Sequence, residues 1–136
     1  LRTQSSIKAL INGLKDGTID MVTSDHNPIA IEGKKIEFDF ADFGTIGLES
    51  AFGALNSVFS TKKTIDILTS GKLRFGIENT SINIGNYCNI TLFNPEILYK
   101  FENDYIYSKS KNSIFIGYQL KGSVYGVIAN KTVVLN

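Results

Sequence analysis

Apolar positions recur along this chain first at a helical period and later at a strand period. Ile7, Leu10, Ile11 and Leu14 fall at i, i+3, i+4 and i+7, one face of a helix. Thr3-Gln4-Ser5-Ser6 offers capping side chains ahead of them, which predicts a helix from about Ser5 to Asn12. Gly13 or Gly17 ends it, and Asp16-Gly17 is a turn signal. Ile19 to Ser24 then reads as a short buried strand, apolar and β-branched without a breaker. It stops at Ser24-Asp25-His26-Asn27-Pro28, where Pro28 lacks a donor and biases Asn27 toward extended backbone. Helix, short turn and strand is the alternation of a closing repeat in an α/β barrel.

Residues 27 to 43 read as a long charged connection, more loop than strand despite the alternation over Ile36-Glu37-Phe38-Asp39-Phe40. From Gly44 to about Phe59, Ile46, Leu48, Ala51, Phe52, Leu55, Val58 and Phe59 form a wide apolar stripe and predict a second helix. A shorter helix follows from about Thr64 to Thr69, ending at Ser70-Gly71. After Gly71 the pattern becomes β-rich. Tyr87 to Phe93 alternates with Cys88, Ile90 and Leu92 facing inward, and Asn94-Pro95 is expected to end that strand. Ser123 to Ala129 and Thr132 to Leu135 predict a hairpin across Asn130-Lys131. The chain thus divides into residues 1–70, of barrel type, and 71–136, a β-rich accessory segment.

Composition narrows the classes of function. Fourteen basic and thirteen acidic residues leave a net charge of +1, which gives no electrostatic footprint for nucleic acid or an anionic membrane. The aromatic residues are spread through helix and strand faces and make no stacking platform. One cysteine excludes an internal disulfide framework. No apolar run reaches the roughly 20 residues that span a bilayer, and no signal peptide opens the chain. Three glycosylation-type triplets, at Asn79, Asn89 and Asn130, are therefore read as chance. These features suit a cytoplasmic enzyme.

The chemistry centres on Asp25. A carboxylate at the C-terminal tip of a buried strand is where α/β barrels hold reacting groups; the same Asp before Asn-Pro could equally close an Asx-turn. His26, the chain's one histidine, reads as a structural group that orients the loop or a neighbour. Gly44 lets backbone approach a ligand closely and would open a helix whose free N–H groups favour an anion, or it simply starts that helix. Gly44-Thr45-Ile46-Gly47 lacks the Gly-Lys-Ser/Thr ending of a phosphate loop. Glu49 reads as a structural polar contact and Cys88 as a core residue. Arg2 is assigned no role.

The stretches Ala9-Leu10-Ile11-Asn12-Gly13-Leu14-Lys15-Asp16-Gly17-Thr18-Ile19-Asp20 and Ser24-Asp25-His26-Asn27-Pro28-Ile29 resemble the dihydroorotases of the amidohydrolase superfamily. Further matching runs are Leu1-Arg2, Glu37-Phe38, Ala41-Asp42-Phe43-Gly44, Gly47-Leu48-Glu49 and Ser110-Lys111-Asn112-Ser113-Ile114-Phe115. The resemblance implies the C-terminal portion of a TIM-barrel metal-dependent hydrolase, followed by strands of a composite sheet. It implies zinc as cofactor, Asp25 as both metal ligand and proton carrier, and Phe43 and Gly44 as substrate-binding residues. The reaction implied is reversible interconversion of N-carbamoyl-L-aspartate and dihydroorotate. Most metal ligands of such an enzyme would lie upstream of Leu1; one His and one Cys cannot assemble a closed zinc site. The chain is therefore expected to be a C-terminal fragment, inactive alone.

One departure stands out. Where the resemblance calls for a substrate-binding histidine, this chain has Ile29, and Asn27 or Lys34 would have to supply the missing donor. That departure keeps two other readings open: an allantoinase- or hydantoinase-type amidase, or a non-catalytic homologue that scaffolds a pathway partner. The expected partners are a small-molecule substrate, the upstream part of the same enzyme and, through open strand edges, further copies of the chain.

Overall fold

The computed structural model describes residues 3–78 and 81–135. Leu1-Arg2 and the first two residues of the Asn79 triplet lie outside the described residues. Thr3 caps helix α1 (Gln4–Asp16) by accepting the Ser6 N–H on its hydroxyl at 3.2 Å, and Gly17 ends it at φ 87°. The helix is longer than the sequence pattern suggests because Gly17, not Gly13, provides the left-handed cap. Gly13 serves packing instead: a Cβ there would sit 3.2 Å from the Ile19 side chain. Of the predicted apolar face, Leu14 is buried, Ile7 and Ile11 are half-buried and Leu10 is exposed.

The strand expected over Ile19–Ser24 is not formed. A strand exists only as a member of a pair, and among the described residues none lies beside this segment. Helical neighbours hold it instead. The Val22 N–H donates to the Ile67 carbonyl at 2.9 Å, and the Ser70 hydroxyl to the Asp20 carbonyl at 2.5 Å. Arg74 pairs with the Asp20 carboxylate. Ile67 belongs to α4 (Thr61–Thr69), capped by Ser60 and followed directly by α5 (Gly71–Arg74).

The connection over 27–43 contains a short helix, α2 (Ile31–Lys34), and a 3-10 turn at Phe38–Phe40, and no strand. The second long helix, α3 (Leu48–Asn56), begins four residues later than the apolar stripe suggests. Thr45 is already committed elsewhere: it forms an isolated parallel bridge with His26, and its hydroxyl donates to the Asn112 carbonyl at 2.9 Å.

Three antiparallel strands follow, in the order β1 (Ile90–Lys100), β2 (Gln119–Ala129), β3 (Thr132–Leu135). The β2–β3 turn is the expected one, with Asn130 at φ 50° and Lys131 at φ 62°. Contrary to expectation, β1 runs through Asn94-Pro95. Its register against β2 shifts between Asn94 and Leu98, a bulge in which a proline needs no ladder N–H. Cys88 falls ahead of the ladder, which opens at Ile90, and is exposed instead of inward-facing.

The core lies where α3 meets β2. Ile46, Phe101, Ile106 and Leu120 are buried together, with Ala54, Tyr99 and Phe115 packed around them. Small residues permit the approach: a Cβ on Gly53 would lie 3.2 Å from Leu120, and one on Gly122 2.7 Å from the Phe52 ring. Asn56, 4% exposed, ties the layers together. Its Nδ2 donates to the carbonyls of Pro95 (2.9 Å) and Lys121 (3.1 Å), and its Oδ1 accepts from the Thr61 hydroxyl (2.9 Å).

The accessible surface is 10105 Å² for a 15.0 kDa chain, against roughly 7,000 Å² for a self-contained monomer of that mass. Among the described residues, no helix is long and apolar enough to cross a membrane.

Candidate active-site segment

Asp25 sits at the end of the segment that α4 and α5 hold, and its backbone is left-handed at φ 43°. That conformation is uncommon for a residue with a Cβ, although Asp adopts it more readily than most. The side chain is exposed, and among the described residues no hydrogen bond or ion pair reaches its carboxylate. The Asx-turn alternative, which would engage that carboxylate, is therefore not the arrangement found.

The backbone brings the second candidate stretch alongside. The Asn27 N–H donates to the Thr45 carbonyl at 2.9 Å, completing the bridge between His26 and Thr45. The Asn27 side-chain amide donates to the Phe43 carbonyl at 3.0 Å. Phe43 projects its ring into solvent at 94% exposure. Gly44 has φ 124°, and a Cβ on it would fall 2.3 Å from Asn27 Nδ2. So Gly44 is required by its backbone and by close approach. The expectation that it opens a helix is corrected, since α3 starts only at Leu48.

A third strip of chain, 108–112, closes the arrangement. Asn112 Oδ1 accepts the Ile29 N–H at 3.3 Å, and its Nδ2 donates to the carbonyls of Asn27 (3.3 Å) and Gly44 (3.4 Å). The Ser110 hydroxyl donates to the Ile29 carbonyl at 2.5 Å. Ile29 is thus fixed through its backbone, and its side chain lies toward Gly33, where a Cβ would be 3.1 Å away. Both proposed substitute donors have other work: Asn27 holds Phe43, and Lys34 Nζ donates to the Asp42 carbonyl at 2.5 Å.

His26 behaves as the structural group expected of it. Its Nδ1 accepts the N–H groups of Gly47 and Leu48, each at 3.2 Å, and its Nε2 lies 3.3 Å from Ser108 Oγ. The Ser108 N–H donates to Glu49 Oε1 at 2.8 Å, and its hydroxyl donates to the same oxygen. Burial works to raise the Glu49 carboxyl. The hydrogen bonds from Ser108 outweigh that and hold it below the usual carboxylate range. Glu49 is accordingly the structural polar contact expected from sequence. Ser108 was not legible beforehand, whereas Asn112 lay within a matching run without any role attached.

Among the described residues, no three His, Cys, Asp or Glu side chains gather as a metal site would need. Asp25 fits a metal as a single donor, because its carboxylate is exposed and otherwise unengaged. His26 does not fit, since both ring nitrogens face protein partners. A cleft of about 780 Å³ lies between Glu49, Phe52, Tyr99, Tyr105, Ser108 and Val124, and neither Asp25, Phe43 nor Gly44 lines it.

The chain is 37% identical over 131 residues to a dihydroorotase of Caldanaerobacter subterraneus subsp. tengcongensis, covering 91% of this chain and 30% of that one. It is 37% identical over 142 residues to a dihydroorotase of Endomicrobium trichonymphae, covering 98% and 34%. The chain therefore spans about a third of the length of the curated relatives it matches. Its fold is similar to that of a D-hydantoinase (dihydropyrimidinase) from Thermus sp., with a TM-score of 0.80 at 20% identity, over 95% of this chain and 31% of that one. A dihydropyrimidinase from Brevibacillus agri NCHU1002 aligns at a TM-score of 0.79 and 23% identity, over 100% and 32%. No family model matches.

Proposed function

We propose that this dihydroorotase-like amidohydrolase segment is the C-terminal part of a zinc-dependent cyclic amide hydrolase that interconverts N-carbamoyl-L-aspartate and dihydroorotate. In this reading residues 1–70 are the end of a (β/α) barrel and carry the active-site loop. Residues 71–136 are its β-rich accessory segment. The observation that carries the reading is Asp25: a strained, exposed, unengaged carboxylate, flanked by anchored backbone on both sides. The open surface is the second support, since about 3,000 Å² beyond the expectation for a monomer of this mass would be covered by the remainder of the enzyme or by further copies of it.

Asp25 would hold zinc through its carboxylate, with the remaining ligands supplied by the part of the enzyme upstream. Zinc, when bound, makes a water nucleophilic near neutral pH. Asp25 accepts the proton of the attacking water and delivers it to the amide nitrogen as the ring opens. Phe43 and Gly44 stand exposed on the segment that Thr45 bridges to His26, where they can meet the substrate. Ile29, turned toward Gly33, offers no donor, which favours a substrate held by fewer charged contacts and makes a hydantoinase-type ring the second candidate.

The test is an assay of the zinc-loaded full-length protein on dihydroorotate and on a hydantoin. Hydrolysis of dihydroorotate that falls at least about a hundredfold in Asp25→Asn supports the reading. Equal activity in the variant refutes the role of Asp25, and turnover of the hydantoin alone shifts the substrate assignment. The 136-residue chain by itself is expected to be inactive.

A further inference from the structure

Helix α3 starts without a capping side chain of its own, because Gly47 occupies the N-cap position. His26 supplies the cap from 21 residues upstream, with Nδ1 accepting the N–H groups of Gly47 and Leu48. A ring nitrogen that accepts two N–H groups carries no proton, so the imidazole proton is assigned to Nε2. From there the donors run in one direction. Nε2–H points to Ser108 Oγ at 3.3 Å, and the Ser108 hydroxyl points to Glu49 Oε1.

The far end of this relay is held under tension. The Glu49 side chain is 11% exposed, and its Oε2 is buried without a hydrogen-bond partner among the described residues. A buried carboxylate oxygen left unpaired is costly. Glu49 remains there because Ser108 grips its other oxygen with both hydroxyl and N–H. The 3.9 Å approach of Oε2 to His26 Nδ1 is not an ion pair with this tautomer, since the facing nitrogen presents a lone pair.

We infer that Glu49 and Ser108 are positioning residues for Asp25, acting through His26: they fix the plane of the ring at its far nitrogen, and the ring fixes the backbone turn at Asp25. Asp25 keeps a left-handed φ of 43°, a conformation that relaxes unless its neighbours are pinned. On one side Val22 is bonded to Ile67; on the other the His26 ring is bonded to α3 and the Asn27 N–H to Thr45. Of these anchors, only the His26 ring is a side chain, held at its far nitrogen by Ser108. The inference rests on reading Asp25 as the reactive carboxylate, but its structural half can be tested without activity.

His26 is the only histidine of the 136 residues, and in the full-length protein the long-range ¹H–¹⁵N signal that disappears in His26→Gln reports its tautomer. The wild type should show a pyrrole-type Nε2 and a pyridine-type Nδ1. Ser108→Ala and Glu49→Ala should each leave that tautomer in place and move the φ-dependent three-bond coupling of Asp25. Ser108→Thr, which keeps the hydroxyl, should restore the coupling. In the full-length enzyme, Ser108→Ala should lower kcat about tenfold or more with KM changed little, as loss of a supporting partner does, and Ser108→Thr should recover it. An Nδ1–H tautomer in the wild type, or an Asp25 coupling indifferent to Ser108→Ala, overturns the inference. Expected spectra together with a wild-type enzyme that leaves dihydroorotate intact would uphold the relay and refute the proposed reaction.

Discussion

Replacing Gly44 with alanine tests whether the Phe43–Gly44 turn is built around Asn27. Two costs combine. A φ of 124° lies where residues with a Cβ are strained by about 1–3 kcal/mol. The new Cβ would also fall 2.3 Å from Asn27 Nδ2 and 2.7 Å from its Cγ. Asn27 must then swing away and lose its bond to the Phe43 carbonyl, a further ~1 kcal/mol. Gly44→Ala should therefore destabilise the chain by roughly 2–4 kcal/mol. Gly17→Ala separates the two effects, because Gly17 has φ 87° but nothing within 4 Å of its Cβ position. It should cost only the backbone part, about 1–2 kcal/mol. Asn27→Ala removes the two nearest obstructing atoms and leaves only its Cβ, 2.9 Å away, so the Gly44→Ala, Asn27→Ala double variant should be about 1 kcal/mol more stable than the sum of the single losses. Urea unfolding followed by circular dichroism reads all four differences as midpoint shifts. Strict additivity, or Gly44→Ala no worse than Gly17→Ala, would refute the geometry.

Three further outcomes are expected. The Glu49 carboxyl lies below its ordinary value of 4.5 in the folded chain, so its contribution is complete above that pH and is lost as pH falls through the folded value. Urea midpoints measured from pH 7 down to pH 3 should thus fall more steeply in the wild type than in Glu49→Gln. Asn112→Ala removes the contacts to Ile29, Asn27 and Gly44 and should cost about 1–3 kcal/mol, with amide exchange at Ile29 accelerating first; unchanged exchange there would contradict the role given to Asn112. Lys131 sits at φ 62°, so Lys131→Gly should raise stability by up to about 1 kcal/mol, and a lower melting temperature would count against the turn described.

The parts of the fold legible in the sequence are those that local chemistry decides. A glycine had to end α1 because a left-handed residue closes it, although the pattern left Gly13 and Gly17 both open. Asn130-Lys131 had to turn because two alternating runs flank a residue that tolerates φ > 0. The Thr3 cap was readable for the same reason, whereas the Ser60 cap was not, since the pattern placed the start of α4 at about Thr64. What was not readable depends on partners far away. Ile19–Ser24 has the composition of a strand, but a ladder needs a neighbour, and α4 supplies the Ile67 carbonyl instead. Pro95 looked like a strand end because a bulge is invisible without the opposing register. Cys88 looked inward for the same reason. At the candidate site, Asp25 and the Phe43–Gly44 pair came from matching runs, and the structure sets them on adjoining segments. Ser108 carried no signal: a lone serine between Tyr107 and Lys109 acquires meaning only once the chain brings it beside His26 and Glu49.

Asn56 has a consequence for how the sheet finds its register. The Pro95 and Lys121 carbonyls converge on one amide only when the β1 bulge is in place. Pairing without the bulge would slide every later residue of β1 by two positions along β2, opposing Leu98 to Gln119 instead of Lys121, and leave that buried amide with a missing acceptor. The same side chain accepts from Thr61 at the start of α4, so a slipped sheet would also loosen the helix whose Ile67 carbonyl holds the Asp25 segment. Asn56 thus acts as a proofreader of strand pairing: its three hydrogen bonds deepen the native well, and its burial raises the free energy of the nearest wrong one.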